Sequence, residues 1–288
     1  MTIFLRLSRA QLARRLALAL VFLSTALAGQ AQDDKDAKES LTVALSAPGK
    51  PGTLEVGLVN GFIHVTGYGG KDVVIDASTR PAKASRRSPE PPTPPGGMKR
   101  LSSVSGLNLT AEEKNNHVEI STQSHAHPVD LTIRVPQNFS LQLSTVNNGD
   151  IIVENVNGQL EISNVNGAIQ LNNVSGSAVA NTVNGNLVAT FKSVNNGAPM
   201  AFSTLNGKVD VTFPSNVKAS LKMKSERGEV FSDFDVAVDK TPAKVTRTSQ
   251  NGLTRLSTDD WTYGKVNGGG AEVMMKTFNG NIYLRKVR

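Results

Sequence analysis

Between residues 150 and 185 apolar positions recur with a fixed period. Four consecutive nine-residue units, Asp150 to Gly158, Gln159 to Gly167, Ala168 to Gly176 and Ser177 to Gly185, each end in Val-Asn-Gly or Val-Ser-Gly. Their second position reads Ile151, Leu160, Ile169 and Ala178; the fourth reads Val153, Ile162, Leu171 and Ala180; the seventh reads Val156, Val165, Val174 and Val183. The step from second to fourth position is that of a strand with one buried side. The three-residue step from fourth to seventh cannot keep both side chains on one face of a flat strand, so the backbone must turn a corner between them.

An antiparallel meander or sandwich with two-residue Asn-Gly turns is the default reading of that dipeptide. Its strict alternation would bury Asn155, Asn164 and Asn173 and expose the valines. A coiled chain instead turns the valine inward at every corner. The pattern therefore predicts an all-β, repeat-built parallel β-solenoid, two units to a coil of about 18 residues, each coil burying its apolar side against its neighbours. The antiparallel meander or sandwich is the alternative. The corner residues singled out are Asn157, Gly158, Asn166, Gly167, Gly176, Asn184 and Gly185. Glycine is expected there for a positive φ. Asparagine is expected for amide bonding along the stack, with Asn155 near Asn173 and Asn157 near Ser175.

Strand signals also fill 54–77 and resume at Leu107, Val118 and the alternating run Leu131, Ile133, Val135 before Pro136. Looser corner copies follow at Leu205-Asn206-Gly207, Val266-Asn267-Gly268 and Phe278-Asn279-Gly280. The last copy is expected to close one end of the stack, where an open coil would leave strand edges unpaired. Residues 81–100 hold six prolines and almost no apolar side chains, which predicts an extended insertion into the β domain.

The N-terminus carries Arg6, Arg9, Arg14 and Arg15, then the apolar run Leu16 to Leu27 and Ala26-Leu27-Ala28. That is the order of a secretory signal peptide, assigned to 1–31 with cleavage after Ala28 or Ala31; the run is short of the roughly 20 residues that span a bilayer. A polar stretch, 32–40, would precede a single domain at 41–288. The chain is thus expected to be exported, to the periplasm, the cell surface or the medium, with no membrane span in its mature form. The absence of cysteine excludes disulfides, thiolate metal sites, a cysteine nucleophile and an acylated N-terminal cysteine.

The basic balance says little about nucleic acid. Four of the 31 Lys and Arg fall in the leader, leaving 27 against 24 acids, and Lys83, Arg86, Arg87, Lys99 and Arg100 concentrate the excess in the proline-rich insertion. A nucleic-acid surface needs a basic face with interleaved aromatics. Asp150, Glu154 and Glu161 are expected outward, without the desolvated partner that general acid catalysis requires. His125 and His127, with His117 and Asp130 as further ligands, are too loose a set for a metal. Gly67-Tyr68-Gly69-Gly70 lacks the lysine, serine and helix of a phosphate loop. Trp261 and Tyr263 read as an aromatic cap over an end of the stack. No catalytic residue, cofactor or metal site is assigned.

Val135-Pro136, the run Ser144-Thr145-Val146-Asn147-Asn148-Gly149-Asp150-Ile151, and Val59-Asn60-Gly61 through Val65-Thr66-Gly67 with Val73-Val74-Ile75 resemble the bacterial putative-adhesin family, also called the toastrack domain. The likeness covers roughly 54–78 and 107–288. It implies an extracytoplasmic all-β stacked domain, placed among adhesins and, in relatives fused to transmembrane helices, among envelope-stress sensors. The expectation is an exported, non-enzymatic, adhesin-like protein of the cell envelope that contacts a polysaccharide or surface protein. The alternatives are a polysaccharide-active enzyme on the same scaffold and an accessory component of envelope-stress signalling.

Overall fold

The computed structural model describes residues 38–79, 109–122, 128–147, 149–239, 245–250, 253–258 and 261–287. The signal segment, the proline-rich insertion, His125 and His127 lie outside the described residues. Strands form two stacked faces joined by corners. Face A contains, in spatial order, Leu109–Lys114, His117–Thr122, Gly52–Asn60, Phe139–Asn147, Asn157–Asn166, residues 175–184, Met200–Asn206, Ala271–Asn279, Ala219–Ser225 and Thr262–Val266. Face B contains Lys38–Val43, Val73–Thr79, Val129–Pro136, Ile63–Tyr68, Ile151–Glu154, residues 169–174, Leu187–Val194, Val209–Phe213, Ile282–Lys286 and Val230–Ser232.

The interior pairs are parallel and in the 18-residue register that the repeat implied: Ile151 pairs with Ile169, Ile169 with Leu187, and Leu160 with Ala178. This is the β-solenoid, not the meander. Within the two faces antiparallel pairing lies at the ends, where Leu109–Lys114 lies on His117–Thr122, Val73–Thr79 on Val129–Pro136, and Thr262–Val266 on Ala219–Ser225; Val245–Gln250 and Leu253–Thr258 form a separate antiparallel pair.

Inward positions of both faces make one core, with Ile63, Val65, Leu131, Leu141, Ile162, Leu171 and Ile282 essentially inaccessible. Where the repeat carries small residues the next coils supply bulk. Phe202 stacks in register on Ala180, and its ring centroid lies 6.0 Å from that of Phe191 and 6.4 Å from that of Phe213, which are 5.2 Å from each other.

Two expectations change. The last copy does not close the stack. Ala271–Asn279 and Ile282–Lys286 are inserted between the coil of Met200–Phe213 and the coil of Ala219–Ser232, parallel to both. A parallel ladder needs only matching register and a complementary inner face, so coils adjacent in space need not be adjacent in sequence. The strand Gly52–Asn60 enters between His117–Thr122 and Phe139–Asn147 in the same way.

The corners, moreover, are of two kinds. At one, Val153 and Val156 are both buried, as are Leu171 and Val174, and the turn residues Asn155 and Asn173 take φ of 57° and 54°, a conformation that asparagine tolerates. At the other, alternation runs straight on: Asn164 and Thr182 are buried while Val183 is exposed. The valine at the seventh position therefore faces inward in only every second unit. Gly176 has φ of 106°, but Gly158, Gly167 and Gly185 lie outside the left-handed region. Their requirement is contact rather than conformation. A Cβ on Gly167 would lie 2.1 Å from the Gly149 carbonyl oxygen, and one on Gly185 would lie 2.1 Å from that of Gly167.

Gly167→Val should therefore lower stability by about 1–3 kcal/mol or more, as overpacking does, while Gln170→Ala, which trims an outward side chain, should stay within about 0.5 kcal/mol. Asn164 occupies a position that holds threonine in other coils, and its Oδ1 has no partner among the described residues. Asn164→Thr should raise stability by about 1 kcal/mol by removing that orphan acceptor. Chemical unfolding of the three variants checks both statements.

Candidate binding surface

The second kind of corner repeats the order Thr or Asn, apolar residue, Asn, Gly, with Asn148 inserted before Gly149 and Leu58 in the first place of the copy ending at Gly61. The first residue turns inward and donates to the corner glycine carbonyl of the preceding coil: Thr145 Oγ1 to Gly61 (3.1 Å), Asn164 Nδ2 to Gly149 (3.1 Å), Thr182 to Gly167 (2.9 Å), Thr204 to Gly185 (2.9 Å) and Thr277 to Gly207 (2.8 Å). The third faces out. Asn166 Nδ2 donates to Asn147 Oδ1, Asn184 to Asn166, Asn206 to Asn184 and Asn279 to Asn206, at 2.7–2.9 Å. Each inner amide of this ladder thus keeps one N–H and one carbonyl lone pair for an outside partner.

The second residue of the motif makes a parallel exposed column. Val59, Val146, Val183, Leu205 and Phe278 are 37–50% exposed, with Val165 between them half-buried. Six coils thus present one apolar side chain and one asparagine each, at the roughly 4.8 Å strand spacing, and none of these positions is charged. Arg227 lies over the Phe278 ring at 5.1 Å at the far end. Of the corner residues singled out in the sequence, Asn166, Gly167, Asn184 and Gly185 lie on this ridge. Asn157, Gly158 and Gly176 lie at the other corner, where Asn157 Nδ2 donates to Asn138 Oδ1. The expected ladder of Asn155 on Asn173 is replaced by that of Asn147, Asn166, Asn184, Asn206 and Asn279. The threonine two residues before Asn147, Asn184, Asn206 and Asn279 was the sequence signal for the ridge corner, with Asn164 in its place before Asn166.

The outward carboxylates Asp150, Glu154 and Glu161 do not converge. Glu161 projects from face A, and Glu154 from face B. Asn172 Nδ2 donates to Glu154 Oε1 at 3.2 Å and His64 Nε2 lies 3.2 Å from Oε2. These contacts, that from Asn172 foremost, hold the Glu154 carboxyl below the usual range. A general acid at neutral pH requires the opposite shift. Asp150 Oδ1 accepts from the Ala168 N–H at 2.7 Å and so caps a corner. His117 is 3.4 Å from Glu55, and Asp130 Oδ1 accepts from the Phe62 N–H. Among the described residues no group of three His, Asp or Glu could hold a metal ion.

Face B carries one charged cluster that the sequence did not disclose. Asp210, 6% exposed, accepts from Arg285 Nε and NH2 at 2.6 and 3.2 Å and from Lys208 Nζ at 2.9 Å. Arg285 also lies over the Tyr283 ring, which stacks on Phe231 at 5.4 Å. Burial pushes the Asp210 carboxyl up, but the bonds from Arg285 and Lys208 together outweigh it and the net shift is downward.

With this geometry in place, comparison with known proteins gives the class. The family model described as Toastrack DUF4097 matches residues 130–260, and this segment is a toastrack domain. A crystal structure of a putative cell adhesion protein from Clostridium sporogenes is 12% identical with a TM-score of 0.45, covering 88% of this chain and 100% of that one. That of a putative adhesin from Bacteroides fragilis is 11% identical with a TM-score of 0.40, covering 88% and 98%. No curated protein matches.

The folded pKa of Asp210 lies below the unfolded value of about 3.9. Its contribution is therefore complete above that value and lost as pH falls through the folded pKa. Asp210→Asn should cost about 1–3 kcal/mol at pH 7, as hydrogen bonds to charged groups do. The difference from the parent chain should shrink as pH falls below 4, which unfolding curves across pH measure.

Proposed function

We propose that this chain is an exported, non-enzymatic, adhesin-like protein that binds an extended component of the cell envelope through the ridge of its stacked corners. The observation that carries this reading is the six-coil alignment of exposed Val59, Val146, Val165, Val183, Leu205 and Phe278 beside the asparagine ladder. An exposed apolar column is costly to maintain on a soluble surface and marks an interaction site when it is continuous. The neighbouring amides offer donors and acceptors at the same repeat. A polysaccharide, with apolar ring faces and hydroxyls at regular intervals, fits that alternation of chemistry. The asparagine amides of the ridge are held by hydrogen bonds from coil to coil, which lowers the ordering cost of binding.

Export rests on the leader at 1–31, and the proline-rich insertion at 81–100 belongs to this reading as an appendage to the single β domain. The separation of Glu154 and Glu161 onto opposite faces supports binding without turnover.

The test is retention of the chain on a panel of polysaccharides and peptidoglycan fragments, followed for bound protein and for product. Retention on at least one surface is expected. Val183→Glu with Leu205→Glu, both at exposed positions, should reduce it at least tenfold without product appearing in either case. Turnover abolished by Glu154→Gln or Glu161→Gln would replace the binding reading with the enzyme. Absence of retention on every surface would leave the signalling accessory.

A further inference from the structure

The outward side of face A is graded in charge along the stack. One column, read strand by strand, runs Glu112, Glu119, Glu55, Gln142, Glu161, Val179, Ala201, Met274, Lys222 and Tyr263. The column beside it runs Gly57, Ser144, Ser163, Asn181, Ser203, Lys276 and Lys224 by the same registers. Acids occupy one end and reach the middle at Glu161, small and apolar residues fill the rest of the middle, and lysines lie toward the other end. Val179, 45% exposed, lies near the centre. The exceptions are few. Lys114 and His117 lie among the acids, His117 against Glu55; Glu272 and Glu226 lie among the lysines, Glu226 paired with Lys224 at 2.8 Å. Lys222 sits over the Trp261 ring at 4.9 Å.

We infer that face A is a self-association surface whose occupant is a second copy of this chain, packed face to face with its stack reversed. A twofold axis parallel to the strands, between the strand of Glu161 and the strand of Val179, reverses stack direction and leaves each column facing itself. It sets Glu119 of one copy opposite Lys222 of the other and Glu55 beside Lys276, and repeats both contacts through symmetry. Beside the axis Glu161 of one copy faces Val179 of the other and Gln142 faces Ala201, so each copy brings one carboxylate to the centre against short and apolar side chains. The short side chains of Gly57, Ser144, Ser163 and Ser203 let the two sheets approach to the roughly 10 Å of packed sheets. Parallel stacking of the same two faces would oppose acid to acid and lysine to lysine, so the charge pattern selects one orientation as well as one partner. Ten strands at roughly 4.8 Å, each offering about five residues of roughly 3.3 Å, give a face on the order of 800 Å² per copy, the area of a standard specific interface. The ridge lies at the edge of this face and stays open, so pairing would double the ligand-contacting edges of the assembly.

Sedimentation equilibrium of the purified chain tests the inference, with the ridge untouched. The parent chain should self-associate at low salt, and the association should weaken at least tenfold at about 1 M salt, where the Debye length falls to about 3 Å. Glu55→Lys with Glu119→Lys makes both ends basic; Lys222→Glu with Lys276→Glu makes both ends acidic. Each variant alone should be monomeric with an unchanged β-type circular dichroism spectrum. An equimolar mixture of the two should recover a dimer. A parent chain that stays monomeric at every concentration overturns the proposal. So does self-association of either variant at parental strength, or a mixture of the two folded variants that fails to pair. None of these readouts involves the envelope ligand, so the outcome is independent of polysaccharide retention.

Discussion

The structure depends on the close contact of backbone at one corner. Gly61, Gly149, Gly167, Gly185, Gly207 and Gly280 follow one another up the stack, each so near the carbonyl of the one before that a Cβ has no room. That carbonyl would be an unsatisfied buried acceptor, a loss of about 1–3 kcal/mol, were it not for the hydroxyl or amide from Thr145, Asn164, Thr182, Thr204 or Thr277. The matching glycine N–H donates to the Asn carbonyl of the next coil, as Gly167 does to Asn184 and Gly185 to Asn206 at 3.0 Å. The corner fixes register, and register fixes everything that lines up along the stack.

From that constraint the surface follows. A residue that must donate inward leaves its successor outward and the next one beside the turn, so a Thr-apolar-Asn-Gly corner creates an exposed apolar column and an amide ladder together. Neither is needed to fill the core. The Thr hydroxyl and the glycine account for the turn, whereas Val183, Leu205 and Phe278 stay 37–47% exposed outside the core. Their continuity over six coils is what supports the proposed binding role of the ridge.

The same register turns scattered charges into a pattern. Glu55 and Glu119 are 64 residues apart and lie side by side; Lys224 and Lys276 are 52 residues apart and do likewise. A sheet that is acidic at one end and basic at the other is a property of strand order alone. Its charge distribution is suited to a partner with the same gradient reversed.

The sequence by itself determined the unit: strand positions, the 18-residue coil, the parallel architecture and the places where the chain must turn, because these follow from local periodicity and from the steric needs of glycine. The family resemblance was legible for the same reason. What only the tertiary structure decided was which corner is which. Val156 and Val165 occupy the same repeat position, yet one is buried and the other looks outward, because Asn155 enters the left-handed region and Asn164 instead spends its amide on Gly149. Stack order was equally hidden. Arg285 meets Asp210 across 75 residues only because the last coil inserts beside Val209–Phe213, and a parallel ladder, whose bonds are indifferent to how far apart the strands lie in sequence, leaves that choice to the packing of side chains.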